Sequence, residues 1–206
     1  VYMQNSGLGN AVNPLLSLCD PDVYSIPMLV MIGWRGEPGV KDEPQHVKQG
    51  KIQLELLDAM DIPFETISKD DQNYDQKIIN AVKRTKNEKR PVALLIKKGT
   101  FKIYNNEIQE LDNQQMSREV ALEIILGNLD DTAIIVSTTG KTSREIFEIR
   151  EKRRQSHQQD FLTVGSMGHC SSIALGIALA KPERKVVCID GDGALIMHMG
   201  SLSTVG

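Results

Sequence analysis

The sequence has few cysteines, few aromatic side chains and no long apolar run. Its 206 residues include only three cysteines, Cys19, Cys170 and Cys188, at spacings that fit no metal-binding motif, which favours a reducing compartment. No apolar stretch reaches the ~18 residues that a membrane span needs, and the opening VYMQNSGLGN lacks the charged and apolar regions of a signal peptide. We therefore expect a cytoplasmic protein without a membrane partner.

The chain also lacks an excess of charge of either sign. A formal net charge of -3 gives no electrostatic reason to expect a nucleic acid partner. The basic cluster Arg150, Lys152, Arg153 and Arg154 is interpreted as the solvated end of a helix. With 40% hydrophobic and 25% charged residues, the composition is that of an ordinary globular protein.

Apolar runs rich in β-branched residues alternate with longer segments of helical period. This alternation predicts an α/β fold with parallel sheets and crossover helices. Strands are predicted at 28–33, 91–97, 132–137, 161–164 and 185–190, and helices at 47–60, 76–86, 117–126, 171–180 and from Thr142, where Glu145 completes a capping box. The polar stretch 99–115 interrupts the pattern and predicts a linker between domains at 1–98 and 116–206. Both ends of the chain fall in predicted elements, so we expect both domains to be incomplete in this sequence.

Three glycine-containing turns follow predicted strands in the second domain: Ser137 to Gly140, Gly165 to Gly168 and Gly191 to Gly193. Parallel sheets bind ligands beyond the carboxyl ends of their strands, where glycines let the backbone approach a phosphate and hydroxyls donate further bonds. Asp192 adds a hard carboxylate of the kind that magnesium takes beside a diphosphate. Although an isolated Gly-Asp-Gly is usually a plain turn, this position after a buried strand predicts a diphosphate and metal site.

Titratable residues are dense after the predicted strand that ends at Gly33. The segment WRGEPGVKDEPQHVKQG carries Arg35, Glu37 and His46 among other charged groups, a density that indicates substrate binding and proton transfer. Two alternatives stay open: His46 as a solvated residue at a helix start, and Arg35 in a structural salt bridge.

The stretch DFLTVGSMGHCSSIALGIALAKPERKVVCIDGDGALIMHMGSLST resembles the diphosphate-binding domain of thiamine-diphosphate-dependent decarboxylases. The resemblance implies that Asp192 binds Mg²⁺ and that Met167 is the bulky residue that holds the cofactor bent. It further implies that the second side-chain ligand, an asparagine, lies beyond Gly206. The remaining residues that it assigns to the cofactor in this domain are Thr139, Gly140, Gly165, Ser166, Gly191, Gly193 and Ala194.

The first half resembles the pyrimidine-binding domain of the same family. MQNSGLGNAVNPL, interpreted locally as a polar turn before a helix, implies cofactor contacts by Gln4, Asn5 and Ser6. NSGLGN, GWRGEPG, DEPQH and GSMGH together favour the phosphonopyruvate decarboxylases within the family, with His46, Glu37 and Arg35 as catalytic candidates. The glutamate that activates the pyrimidine ring is expected upstream of Val1, and Cys170 stands where the family usually has alanine.

The resemblance implies decarboxylation of 3-phosphonopyruvate to phosphonoacetaldehyde and carbon dioxide, with thiamine diphosphate and Mg²⁺ as cofactors. Sulfopyruvate decarboxylase, or another thiamine-diphosphate 2-oxo acid decarboxylase, is the alternative. A phosphate-binding module without catalysis is the alternative from another class, because glycine-rich turns on parallel sheets serve many functions. The family also implies self-association, with the active site between subunits and a small anionic 2-oxo acid as substrate.

Overall fold

A computed structural model describes residues 1–102 and 116–206. The chain divides into two compact units, Val1–Asn106 and Glu107–Gly206, and each contains a parallel sheet with helices. This confirms the predicted α/β class. Most of the predicted linker, residues 103–115, lies outside the described residues. No described helix is long and apolar enough to cross a lipid bilayer.

The first unit is built on a four-stranded parallel sheet of order β1-β2-β4-β3. All six residues of the strand Pro91–Ile96 are buried, as expected for a central strand that is covered on both faces. The strand Phe64–Ile67 was not predicted, because it is short and carries Glu65 on an exposed face. The elements in chain order are β1 (Tyr2–Gln4), α1 (Asn5–Ser17), β2 (Met28–Gly33), α2 (Pro44–Lys51), α3 (Gln53–Ala59), β3 (Phe64–Ile67), α4 (Tyr74–Glu88) and β4 (Pro91–Ile96).

Alternate residues of β4 point to two separate apolar clusters, one on each face of the first sheet. Ala93 and Leu95 pack with Leu8 of α1 and Leu57 of α3, whereas Val92, Leu94 and Ile96 pack with Ala81 of α4. Side chains alternate across a strand, so helices cover both faces. This arrangement confirms a doubly wound unit.

The second unit has a three-stranded parallel sheet of order β6-β5-β7. Its central strand packs Ile135 against α5 and α6 on one face and Val136 against α7 on the other. Helix α5 is capped by Ser117, whose hydroxyl accepts a hydrogen bond from Val120 N at 3.3 Å. The elements are α5 (Arg118–Gly127), β5 (Ile134–Ser137), α6 (Lys141–Arg153), β6 (Asp160–Leu162), α7 (Cys170–Ala180), β7 (Val186–Ile189), α8 (Asp192–Met197) and α9 (Ser201–Val205).

Two helices begin at other residues than the local sequence pattern predicted. Helix α6 begins after Gly140 without a side-chain cap, and Glu145 pairs with Arg118 of α5 rather than closing a capping box with Thr142. The predicted polar turn around Gly7 and Gly9 is the first part of α1. In both cases packing between elements outweighs the local pattern.

Two further predictions are corrected. The helix predicted at 47–60 is two helices, because Ile52 leaves the helical conformation with φ -97° and ψ 6°. In the basic cluster, Arg150 is only 9% exposed and donates to Asp160 at 3.1 Å. Lys152, Arg153 and Arg154 are exposed at the end of α6, and Arg153 also donates to the Glu123 carbonyl at 2.9 Å. The predicted solvated helix end is therefore corrected at Arg150 alone.

Candidate cofactor and metal site

The three glycine-containing turns of the second unit meet at one edge of its sheet. Strands β6, β5 and β7 are adjacent and parallel, so their carboxyl ends lie together. Thr138 N donates to the Ile189 carbonyl at 2.9 Å, and Gly165 N donates to Thr139 Oγ1 at 2.8 Å. Hydrogen bonds therefore join the turn after β5 to both of its neighbours.

The turn from Gly165 to Gly168 has an unusual backbone. Gly165 and Gly168 have φ values of 95° and 90°, and Ser166 between them has φ 47°, a region that costs energy for residues with a side chain. A Cβ on Gly168 would come within 2.7 Å of His198 Nδ1 and 3.1 Å of the Ala194 carbonyl. Gly168 is thus required both by its conformation and by the close approach of the segment after β7.

Met167, at the tip of this turn, lies against the Gly-Asp-Gly turn. A Cβ built on Gly193 would be 3.2 Å from Met167 Cε, so the absence of a side chain at Gly193 makes room for the thioether. Met167 remains 44% exposed. Its side chain extends from one glycine-containing turn and lies against another.

Asp192 is the first residue of α8, and Gly191 precedes it in an extended conformation. The first hydrogen bond of this turn runs from Leu195 N to the Gly191 carbonyl, so the amides of Asp192, Gly193 and Ala194 have no helical acceptor. The Asp192 carboxylate is exposed and has no hydrogen bond or ion pair with the residues that the structure describes. This turn therefore offers a ligand both free amide donors and one carboxylate.

These residues fit a diphosphate with a shared magnesium ion. Such an ion takes one or two protein carboxylates and completes its shell with phosphate, backbone and water oxygens, while glycine turns and free amides bind the phosphates. Among the described residues no group of three or more metal-binding side chains occurs, so Asp192 would be a single carboxylate ligand. Nearby Asp190 has a buried Oδ2 with no partner in the described residues, while its Oδ1 accepts from Gly191 N at 2.9 Å.

The sequence did not reveal the side chains that brace these turns. His169 packs edge-to-face on His198, with ring centroids 4.4 Å apart, and His169 N donates to the Ser166 carbonyl at 3.1 Å. His198 ends α8 and so connects the helix that begins at Asp192 to the turn that carries Met167. Only the presence of histidine in GSMGH and in LIMHMG signals this contact.

In the first unit, Asn5 joins β1 to the loop after β2. It is 4% exposed, its Nδ2 donates to the Arg35 carbonyl at 2.8 Å, and its Oδ1 accepts from Arg35 N at 3.2 Å. Gln4 is exposed, and its Oε1 accepts from Ser6 Oγ at 3.2 Å. Of the three predicted cofactor contacts, Asn5 is therefore already bonded within the unit, whereas Gln4 faces outward.

Arg35 forms an ion pair with Asp42. Its Nη2 and Nε lie 2.5 and 2.8 Å from the carboxylate oxygens, and the same carboxylate accepts from Gly36 N and Glu43 N. The hydrogen bonds from Arg35, reinforced by these amides, hold the pKa of Asp42 well below its usual range. The salt bridge left open by the sequence is thus present, and it closes the loop between residues 35 and 42.

A cavity of about 260 Å³ lies beside this loop, at the carboxyl edge of the first sheet. Glu37 pairs with Lys97 at 2.7 Å, and the Lys97 ammonium lies 5.9 Å from the centre of the Trp34 ring. The structure thus brings Gln4, Arg35 and Glu37 together around one space. The lining also includes aromatic and cationic residues that the sequence had not singled out as site residues: Tyr2, Trp34, Phe101, Lys97 and Lys98.

His46 lies in the first turn of α2 and does not line this cavity. Burial, with the nearby Arg35 charge as a further cause, lowers the pKa of His46, so the ring is neutral near pH 7. Its Nδ1 is buried without a partner among the described residues. The backbone here is tightly packed, since a Cβ on Gly36 would lie 2.0 Å from the His46 carbonyl oxygen.

Comparison with known proteins agrees with this geometry. Residues 138–206 match the family described as thiamine pyrophosphate enzyme, C-terminal TPP binding domain. Over 220 residues the chain is 36% identical to phosphonopyruvate decarboxylase of Streptomyces viridochromogenes, covering 98% of this chain and 53% of that protein. Residues 138–206 thus belong to a thiamine-diphosphate-binding domain family, and nearly the whole chain is similar to phosphonopyruvate decarboxylase.

Two other relatives extend this result. Phosphonopyruvate decarboxylase of Streptomyces hygroscopicus is 34% identical over 217 residues, which are 98% of this chain and 52% of the relative. Sulfopyruvate decarboxylase subunit beta of Methanocaldococcus jannaschii is 45% identical over 82 residues, 40% of each chain. The chain spans about half the length of the first two relatives. These comparisons confirm the predicted resemblance to thiamine-diphosphate-dependent decarboxylases.

Proposed function

We propose that this chain is part of a decarboxylase that converts 3-phosphonopyruvate to phosphonoacetaldehyde and carbon dioxide with thiamine diphosphate and Mg²⁺. The observation that carries the proposal is the joined set of turns around Asp192, in a chain similar over 98% of its length to phosphonopyruvate decarboxylases. Within this proposal, the residues predicted from the sequence to bind the cofactor, the metal ion and the substrate have those same roles.

In the diphosphate half, Asp192 would bind Mg²⁺, and the amides after Gly191 would donate to the diphosphate. Thr139 accepts from Gly165 N, which leaves its hydroxyl proton for an anion. Met167 would support the bent cofactor from the tip of its turn. The other backbone and hydroxyl contacts are assigned to Gly140, Ser166, Gly193 and Ala194.

In the pyrimidine half, the charged groups around the cavity would bind the substrate. When bound, thiamine diphosphate supplies the electron sink that decarboxylation requires. Asp42 holds Arg35 in one orientation, and Lys97 places a second cation against Glu37; cations beside a desolvated site favour an anionic substrate. His46 is neutral near pH 7, so it suits proton acceptance or relay more than electrostatic binding.

Assay of the full-length protein for carbon dioxide release tests the proposal. Phosphonopyruvate, sulfopyruvate and pyruvate are compared at equal concentration with thiamine diphosphate and Mg²⁺, with EDTA as the control. We expect the highest kcat/KM for phosphonopyruvate. Release from none of the three substrates would overturn the decarboxylase proposal, and cofactor binding without release would favour the phosphate-binding module.

Sulfopyruvate is the second candidate substrate. The 45% identity over 82 residues to a sulfopyruvate decarboxylase subunit favours it, although the sulfopyruvate decarboxylase of Methanosarcina acetivorans is only 27% identical over 98% of this chain. A higher kcat/KM for sulfopyruvate than for phosphonopyruvate would identify sulfopyruvate as the substrate. The proposed role of the cofactor would stay the same.

The proposal includes self-association with an active site between subunits, in a cytoplasmic protein. Its three free cysteines suit a reducing compartment. Mixing inactive Asp192→Ala protein with inactive Glu37→Gln protein tests the shared site, because a mixed oligomer would contain one intact pair of halves. Recovery of activity on mixing is expected, and its absence after verified subunit exchange would contradict a shared site.

A further inference from the structure

Cys170 and Cys188 form a close thiol pair beneath the cofactor-binding turns. Their sulfur atoms are 3.3 Å apart, and both cysteines are reduced. Cys170 begins α7 two residues after Gly168, and Cys188 lies on β7 two residues before Asp190. The pair thus joins the segments that carry two of the three turns.

The two thiols have different environments. Cys170 is 2% exposed, and its thiol contacts the Val136 carbonyl at 3.4 Å, whereas Cys188 is exposed. A hydrogen bond from Cys170 lowers the pKa of Cys188, and the same bond together with burial raises the pKa of Cys170. Because the thiolate is the nucleophile, Cys188 is the thiol that reacts first with an oxidant.

We propose that Cys170 and Cys188 are a site of reversible oxidation that forms a disulfide when the protein meets hydrogen peroxide. The Cys188 thiolate attacks one peroxide oxygen, the O–O bond breaks, and proton transfer gives a sulfenic acid and one water. Cys170 then attacks the Cys188 sulfur, the S–O bond breaks, and a second water leaves with the Cys170 proton. Two thiols lose two electrons and two protons, and the peroxide becomes two waters.

The geometry permits this closure. A disulfide requires a sulfur separation of about 2.05 Å, so the sulfurs must approach by roughly 1 Å. Cys188 pairs with Val136 in the sheet, and α7 packs over these strands through Ala174. A rotation of the two side chains, with a small shift at the start of α7, supplies the movement.

Peptide mapping of the folded full-length protein tests the site. The protein is treated with hydrogen peroxide, denatured, alkylated and digested with trypsin, which cleaves after Arg184 and Lys185 between the two cysteines. Among the cysteines of this sequence, we expect loss of the Cys170 and Cys188 thiols, one peptide pair linked through these two residues, and recovery of both thiols with dithiothreitol. Cys19, 4% exposed in the core of the first unit, is the internal control and should stay alkylated.

Two variants assign the order of attack. In Cys170→Ser, dimedone should capture a sulfenic acid on Cys188 and no linked peptide should form. In Cys188→Ser, Cys170 should remain reduced. Equal oxidation of Cys19, Cys170 and Cys188, or no linked pair in a wild-type protein whose thermal unfolding is unchanged, would overturn the proposal. The wild-type measurement does not depend on whether the variants fold.

Discussion

At the scale of residues, the two aspartates Asp42 and Asp192 have opposite environments. The Asp42 carboxylate accepts from a guanidinium and two amides, so its bonding capacity is used within the protein. Asp192 has no such partner among the described residues and stands beside free amides. A carboxylate without a protein partner at a glycine-rich turn is suited to a metal ion, whereas a fully bonded one is suited to holding a loop.

Asp192→Asn should weaken Mg²⁺-dependent binding of thiamine diphosphate, because a charged oxygen ligand becomes a neutral one. We expect affinity to fall roughly 10- to 100-fold, as for loss of one charge-assisted contact, with little change in thermal stability. Titration calorimetry on the full-length protein measures the affinity. Asp131→Asn, at an exposed aspartate of the same unit, is the matched control, and an equal effect of both variants would remove Asp192 from the metal site.

The Arg35–Asp42 pair should make the free energy of unfolding depend on pH in the acid range. The pKa of Asp42 is lowered in the folded protein, so the unfolded chain binds the proton first as pH falls. The stabilisation is therefore complete above the ordinary aspartate value of about 4 and is lost as pH falls below it. In Asp42→Asn, urea denaturation should give a free energy of unfolding about 1–3 kcal/mol lower at pH 7, and this free energy should fall less steeply in acid. Asp58→Asn, at an exposed aspartate, is the control. Wild-type stability of Asp42→Asn at both pH values would contradict the prediction.

At the scale of elements, close backbone contacts fix the loop after β2. A Cβ on Gly50 of α2 would lie 1.9 Å from the Gly36 carbonyl oxygen, and Trp34 Nε1 donates to the Gly50 carbonyl at 2.9 Å. Because backbone atoms cannot move aside as a flexible side chain can, α2 and the turn at Gly36 keep one arrangement. The loop that carries the charged groups is held by these contacts as well as by Asp42.

Gly50→Ala should therefore destabilise the protein, whereas Gly9→Ala should not. Overpacking costs about 1–3 kcal/mol or more, while a Cβ on Gly9 of α1 meets nothing within 4 Å and alanine there should stabilise the helix by roughly 0.5–1 kcal/mol. Urea denaturation of both variants measures the difference. Similar stability of the two variants would show that the contact at Gly50 is not rigid.

Elements and turns could be predicted to different extents. The strands at 28–33 and 91–96 could be predicted because apolar residues are continuous there, and the three turns could be predicted because glycines mark strand ends. Partners distant in sequence could not be predicted: Glu145 bonds Arg118, Arg150 is buried with Asp160, and His198 packs on His169. These pairings depend on tertiary packing, which a local pattern does not encode.

At the scale of the whole molecule, each unit carries a different part of the proposed chemistry. The first has a charged cavity with aromatic residues, and the second has glycine turns with free amides and Asp192. The chain covers 53% of a related decarboxylase, so tests of ligand binding belong with the full-length protein.

Thiamine diphosphate with Mg²⁺ should raise the melting temperature of that protein. A ligand that binds only the folded state stabilises it by about 2.7 kcal/mol at 100 times its Kd. Differential scanning fluorimetry should show the shift with cofactor and Mg²⁺ together and a smaller shift with EDTA. Thiamine monophosphate, which lacks the diphosphate, is the matched control; an equal shift from it would contradict recognition through the turns of the second unit.

The contact between Gly36 and Gly50 also affects how a saturation mutagenesis experiment on the full-length protein would be interpreted. Neither position is assigned a ligand, yet substitutions there should lower the measured activity by destabilising the fold, whereas substitutions at Asp192 should lower it by weakening cofactor binding. A screen that scores turnover alone would group these glycines with the chemical machinery. Adding a measurement of protein abundance would separate them, because the glycine variants should be lost from the cell while Asp192 variants accumulate as folded, inactive protein.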